Sequence, residues 1–169
     1  LSAYTGQTVY IAFRHHNVTD MLALNIDDVA IFATPTNPTI VPAISTVDFG
    51  TQIVSTSSTQ TVAITAYNLT SSITATATAP FEVSADGTTF GATATIPQNG
   101  GTLHIKYTAT TAGPATGSVT LSSTSATDVT IALSGTGLDC SNNPLPYTFN
   151  FDNEAQAQCW TIVDVNNDG

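Results

Sequence analysis

Positive charge is the scarcest commodity in this chain. Of 169 residues only Arg14 and Lys106 are Lys or Arg, against 12 Asp and Glu, for a formal net charge of −10. Binding nucleic acid requires cations that neutralise phosphates, so nucleic acid is a poor partner, and an anionic membrane surface is a poor one for the same reason. Divalent cations are the natural counter-charge, although diffuse acidity also serves solubility alone. No run approaches the ~20 apolar residues that a membrane helix needs, which argues against membrane insertion by a helix. No signal peptide precedes Leu1, and neither does an initiator Met. The chain reads as excised from something longer, with both ends cut inside a domain, so the missing signal says nothing about export.

Cysteine is scarce too. Cys140 and Cys159 are the only two, and their spacing is not a metal-site pattern such as C-x-x-C. Two readings stand: a local disulfide, which suits an oxidising compartment, or two thiols that an incomplete region fails to bring together. Charged residues of both signs make up 8% of the chain, about a third of the ~25% usual in globular proteins.

What fills the space is Thr, Ser and Ala, with 41% hydrophobic residues, enough for a core. β-Branched residues lose side-chain freedom in a helix but fit a pleated sheet, so the composition points to an all-β fold. Three stretches follow one another. In residues 1–33, Val9, Ile11 and Phe13 alternate with other residues, and Leu22–Ile26 opens a second strand that Val29–Phe32 continues past Asp27 and Asp28. Two strands make no core alone, so this stretch is expected to end a larger domain. Residues 34–42 hold Pro35, Pro38 and Pro42 and read as a stiff linker.

Residues 43–137 read as one complete domain. Candidate strands are Ile44–Phe49, Gln60–Tyr67, Ile73–Ala77, Phe81–Ser84, Ala92–Ile96, Leu103–Tyr107, Ser118–Ser122 and Val129–Ser134. Turn signals separate them at Ala85-Asp86-Gly87, at Pro97 to Gly101 and at Ala112-Gly113-Pro114. Short alternating strands at this spacing predict an immunoglobulin-like β-sandwich, without the internal Cys pair and Trp of antibody domains. Residues 138–169 begin another domain, with a strand-like Tyr147–Phe151, then Cys159–Val163.

Tyr4-Thr5-Gly6-Gln7-Thr8-Val9-Tyr10-Ile11-Ala12-Phe13-Arg14-His15, followed by Leu24-Asn25-Ile26-Asp27-Asp28-Val29, resembles the last strands of a choice-of-anchor J domain. These are jelly-roll modules similar to the cleaved adhesin domains of secreted bacterial haemagglutinin-proteases. Pro146 to Asp152, then Trp160 to Asp164 and Asp168-Gly169, resembles the first part of the same module. Asp48-Phe49-Gly50 and Leu133-Ser134-Gly135-Thr136-Gly137 give the middle stretch a looser similarity to ASH/hydin-type spacers. The resemblance implies an immunoglobulin-like sandwich flanked by partial jelly-roll domains: the tail of one module, a spacer, and the head of the next. It implies no catalysis.

Asp164-Val165-Asn166-Asn167-Asp168-Gly169 fits the opening of a calcium loop, D-x-[DN]-x-[DN]-G, where alternate oxygen side chains converge and Gly permits a sharp turn. The bland alternative is an Asn/Asp-rich surface turn. Asp164, Asn166 and Asp168 are the ligands this reading assigns. Asp27 and Asp28 are adjacent in a strand, so one of them points inward or into a site. The jelly-roll resemblance implies that Asp28 and Asp152 occupy positions where acids share a structural calcium; an edge-strand carboxylate that blocks pairing is the competing account.

Arg14-His15-His16, His104, Glu82 and Glu154 offer no arrangement for metal or acid–base chemistry, and the many Ser and Thr residues are better explained as sheet surface. Trp160 reads as a core anchor rather than a ligand platform. Asn17-Val18-Thr19 and Asn68-Leu69-Thr70 match the N-glycosylation sequon, a common motif.

The expected function is therefore a non-catalytic structural and adhesive segment of a secreted or cell-surface bacterial protein. Its expected partners are adjacent domains or subunits of the same protein, in a filament if subunits complete one another, and a host-surface protein or glycan. The alternative is an accessory or carbohydrate-binding region of a secreted hydrolase whose catalytic domain lies elsewhere.

Overall fold

The computed structural model describes residues 35–141 and Cys159. Every regular element among them is a strand: β1 (Thr39–Pro42), β2 (Thr46–Ile53), β3 (Ser57–Tyr67), β4 (Ile73–Ala77), β5 (Phe81–Ser84), β6 (Thr93–Ile96), β7 (Gly100–Thr108), β8 (Gly113–Ser122) and β9 (Val129–Leu138). Two sheets face each other. One has the order β1-β3-β7-β5 and the other β2-β9-β8-β4-β6, with β2 and β9 parallel and all other neighbours antiparallel. The fold is an all-β sandwich, as the Thr-rich alternating pattern predicts.

Period-two alternation is what makes the two layers. In β4, Ile73, Ala75 and Ala77 are buried while Thr74 and Thr76 are exposed. Val62 and Ile64 on β3, Leu103, Ile105 and Tyr107 on β7, and Phe81 and Val83 on β5 face Val119, Leu121, Ile131, Leu133 and Ile96 from the other sheet. Full burial of each large apolar side chain contributes ~1.5–3 kcal/mol, so the core rather than any surface contact carries the fold. At its centre, Phe49, Phe81 and Tyr107 meet with ring centroids 5.1–5.7 Å apart.

The structure extends several strands beyond the sequence reading. Residues 39–42, read as the end of a linker, form β1, which pairs with Ile64–Tyr67 of β3. Prolines misled the reading there, because Pro is compatible with an edge strand. The Gly113-Pro114 turn signal lies inside β8, and β9 runs on through Gly135 and Gly137. Pro114 is tolerated because alternation turns its missing N–H towards the side of β4, whose pairing with β8 reaches only as far as Val119. Gly50 sits at a break in the β2–β9 register between Asp48 and Thr51 and has φ of 62°. The turn signals at Ala85-Asp86-Gly87 and Pro97–Asn99 do separate strands. Apart from Leu138–Ser141 and Cys159, the stretches read as jelly-roll pieces, 1–33 and 138–169, lie outside the described residues.

Candidate functional site

Asp28, Asp152, Asp164, Asn166 and Asp168, the residues assigned to calcium, all lie outside the described residues, as do Arg14, His15, His16, Glu154 and Trp160. Among the described residues no group of three or more His, Cys, Asp or Glu side chains is gathered closely enough to hold a metal ion. No helix among them is long and apolar enough to cross a membrane. The two cysteines are joined: Cys140 and Cys159 form a disulfide with Cα atoms 5.2 Å apart. Just past β9, the carboxylate of Asp139 accepts hydrogen bonds from the Ser141 hydroxyl (2.6 Å) and amide (2.8 Å), which hold its pKa below the ordinary value.

The four-stranded sheet carries Glu82 on β5 and His104 and Lys106 on β7. Register sets Glu82, Lys106 and Thr59 side by side, and Ser84, His104 and Thr61 in the next row. Lys106 Nζ contacts the Glu82 carboxylate and lies 4.7 Å from the centroid of Phe90, so ion pairing and cation–π attraction tie β7 to β5 and to the loop after it. That loop is held by Asp86. One carboxylate oxygen accepts the Ser84 hydroxyl (2.7 Å) and the Thr88 and Thr89 amides (2.8 Å each). The Thr89 amide, then the Ser84 hydroxyl and the Thr88 amide, push the Asp86 pKa well below the usual carboxylate range. Ser84 itself is 1% exposed and accepts the Gly87 amide at 2.9 Å. His104 lies against Gly87, where a Cβ would stand 3.0 Å from the imidazole. Ser84, Asp86 and the Lys106–Glu82 pair thus hold the loop against the sheet. The Lys106–Phe90 contact was not anticipated, because it pairs strand and loop positions that no sequence period connects.

The outer face of the five-stranded sheet is paved with hydroxyls. Thr93, Thr76, Thr120 and Thr130 form one row across β6, β4, β8 and β9, and Thr95, Thr74 and Ser122 form the next. The one ionisable side chain on these five strands is Asp48 on β2. Its carboxylate accepts the Gly50 amide and the Ser134 hydroxyl, both at 3.0 Å. Asn68 of the second sequon is exposed with φ of 54°, and its amide donates to the Pro35 carbonyl at 2.7 Å.

Residues 1–31 match the family described as the Cleaved Adhesin Domain. Over 31 residues the chain is 61% identical to Hemagglutinin A of Porphyromonas gingivalis, a match that takes in 18% of this chain and only 1% of that protein's length. The N-terminal stretch is thus adhesin-like in sequence. Among solved structures, the chain is similar to part of a Bacteroides ovatus GH5 xyloglucanase in complex with a XXXG heptasaccharide. There the identity is 16% and the TM-score 0.43, over 62% of this chain and 20% of that one. It is also similar to the ASH / PapD-like domain 7 of human CEP192, at 12% identity and a TM-score of 0.42, over 72% of this chain and 99% of that one.

Proposed function

We propose that this chain is a non-catalytic, adhesive and structural segment of a secreted or surface-displayed bacterial protein, in which the sandwich spaces adhesin-type units. The observation that carries this reading is the match of residues 1–31 to the Cleaved Adhesin Domain, with 61% identity to a haemagglutinin over the same length. The sandwich supports it in one respect: Asp48, Glu82, Asp86 and Lys106 are engaged in contacts that hold strands and a loop, as a spacer requires. In this reading the adhesin-type units contact a host-surface protein or a glycan, and adjacent domains or subunits of the same protein are the other partners. Asp164, Asn166 and Asp168 hold a structural calcium, with Asp28 and Asp152 as the matching acids of the flanking modules.

The test is surface binding by the whole chain. Beads coated with it are expected to bind erythrocytes or one class of glycan on an array, saturably and in competition with soluble chain. Beads that bind neither would remove the adhesive part of the reading. Release of reducing sugar or cleavage of a protein substrate by the purified chain would remove the non-catalytic part.

A further inference from the structure

A sheet edge exposes main-chain N–H and C=O groups that invite pairing with another strand, and proteins blunt such edges by identifiable devices. Three of the four edges of this sandwich carry one. On β1 the Ala43 amide donates to the Ala63 carbonyl, so Thr39, Val41 and Ala43 turn their main-chain groups towards β3 and Ile40 and Pro42 turn theirs outward. Pro42 has no N–H to offer. On β5 three of the four outward groups are already used: the Phe81 amide bonds the Thr78 carbonyl, and Val83 exchanges both its bonds with Gly91. On β2 the Gln60 side chain covers the Asp48 carbonyl at 2.6 Å, the strand breaks register after Asp48, and Asp48 adds a charge.

β6 has none of these devices. The Ala77 amide donates to the Ala92 carbonyl, which turns Ala92, Ala94 and Ile96 towards β4. Thr93 and Thr95 therefore aim their N–H and C=O groups away from the sheet, and none of these has a hydrogen-bond partner among the described residues.

We propose that β6 pairs with β6 of a second copy of this chain, antiparallel about a two-fold axis at Ala94, so that two five-stranded sheets become one continuous sheet. Three observations favour a second copy over an unrelated strand. The sequence Thr93-Ala94-Thr95 is symmetric about Ala94, so Thr93 of each copy falls opposite Thr95 of the other, and each such pair exchanges both N–H···O=C bonds. A chain with net charge −10 repels its own copies. Yet β6, β4, β8 and β9 carry no ionisable side chain, so these strands add nothing to that repulsion, and Asp48 sits on the opposite edge. Finally, the described chain enters at Pro35, beside β3, and leaves after β9. Both lie towards the β1 and β2 edges, while β6 lies at the edge shared with β5.

A four-residue edge makes a contact far below the ~1,200 Å² of stable interfaces, so the pairing is weak in solution and strengthens when copies are arrayed together. Sedimentation and amide hydrogen exchange on the whole chain, from ~10 μM to ~1 mM, cover the range where such contacts populate. The mass is expected to rise towards that of a dimer, and the Thr93 and Thr95 amides to exchange more slowly at the high end. Thr95→Pro removes an outward N–H that β4 does not use, and it is expected to abolish the dimer while keeping the monomer's circular dichroism. Thr93→Asp, which keeps every main-chain group and adds like charge at the axis, is expected to do the same should Thr95→Pro unfold. A chain that stays monomeric throughout overturns the pairing. So does a dimer whose Thr93 and Thr95 amides remain fast or whose mass is indifferent to both variants, since that contact lies elsewhere. Mass and exchange report on the edge independently of cell binding, so this pairing can fail while the adhesive reading holds, and the reverse.

Discussion

Gly135 on β9 lies against the ring of Tyr107 on β7, and a Cβ on Gly135 would stand 2.7 Å from Tyr107 Cε1. Tyr107 is 1% exposed and stacks on Phe81, so the ring has no free volume to retreat into. The glycine is there for closeness of approach between sheets, not for an unusual backbone angle. Gly135→Ala is expected to lower stability by about 1–3 kcal/mol, the usual cost of overpacking a filled core. Urea denaturation measures it, with Thr136→Ala on the exposed side of the same strand as the control that changes little. An unshifted Gly135→Ala midpoint would show that the sheets can part there without cost.

Asp86 makes stability depend on pH with a determinable sign. Its carboxylate is stabilised in the folded chain by the Thr89 and Thr88 amides and the Ser84 hydroxyl, so its folded pKa lies below that of the unfolded chain. The stabilisation is present in full above the ordinary pKa of ~3.9 and is lost as pH falls through the lower, folded value. The difference in melting temperature between the wild-type chain and Asp86→Ala is therefore expected near neutral pH and should shrink in strong acid. A difference that stays constant over that range would mean the carboxylate's charge has no part in holding the loop.

How far the sequence speaks is clearest from two strands. β4 was legible to the residue, because Ile73, Thr74, Ala75, Thr76 and Ala77 alternate cleanly and no turn former interrupts them. β8 was legible only from Ser118 onward, since Gly113 and Pro114 carry turn chemistry in isolation. Whether Pro114 ends a strand depends on how far the neighbouring β4 extends, which is a tertiary fact. β1 was missed for the same reason. Local side-chain function followed suit: the Asp86 turn was visible in three consecutive residues, whereas the Lys106–Glu82–Phe90 cluster depends on the β5–β7 register. The assigned calcium ligands remain a matter of sequence pattern.

Lys106 makes two contacts at once, with Glu82 and with the face of Phe90, and both groups are partly exposed. A surface ion pair contributes ~0.2–1 kcal/mol and an exposed cation–π contact ~0.5–1 kcal/mol. Lys106→Ala is expected to cost about 1 kcal/mol, and Lys106→Gln nearly as much. Added salt should narrow the gap between wild type and Lys106→Gln by screening the ion pair. A gap indifferent to salt would assign the loss to packing of the Lys106 stem alone.

The calcium reading predicts heat on titration. The Asp164–Gly169 pattern supplies alternating oxygen ligands, and extracellular modules of this chemistry bind calcium with Kd on the order of 10⁻⁴–10⁻³ M. Calorimetry on the whole chain is expected to show saturable binding that Asp164→Asn and Asp168→Asn weaken and that magnesium does not reproduce. Absence of binding in the wild type would leave this segment as a surface turn.

The Cys140–Cys159 disulfide closes its loop after β9 has ended at Leu138, so no strand of the sandwich lies between the two cysteines among the described residues. A cross-link stabilises chiefly by restricting the unfolded chain within its own loop, here a separation of 19 residues. Reduction is therefore expected to free the segment after Cys140 while leaving the sandwich intact. The main melting transition should move by less than ~4 °C, the shift that 1 kcal/mol makes in a domain of this size. Iodoacetamide should label both cysteines only after reduction, as mass spectrometry would show. Labelling of unreduced protein would mean the thiols are free. A large fall in melting temperature on reduction would mean instead that the closed loop packs against the strands and contributes to their stability.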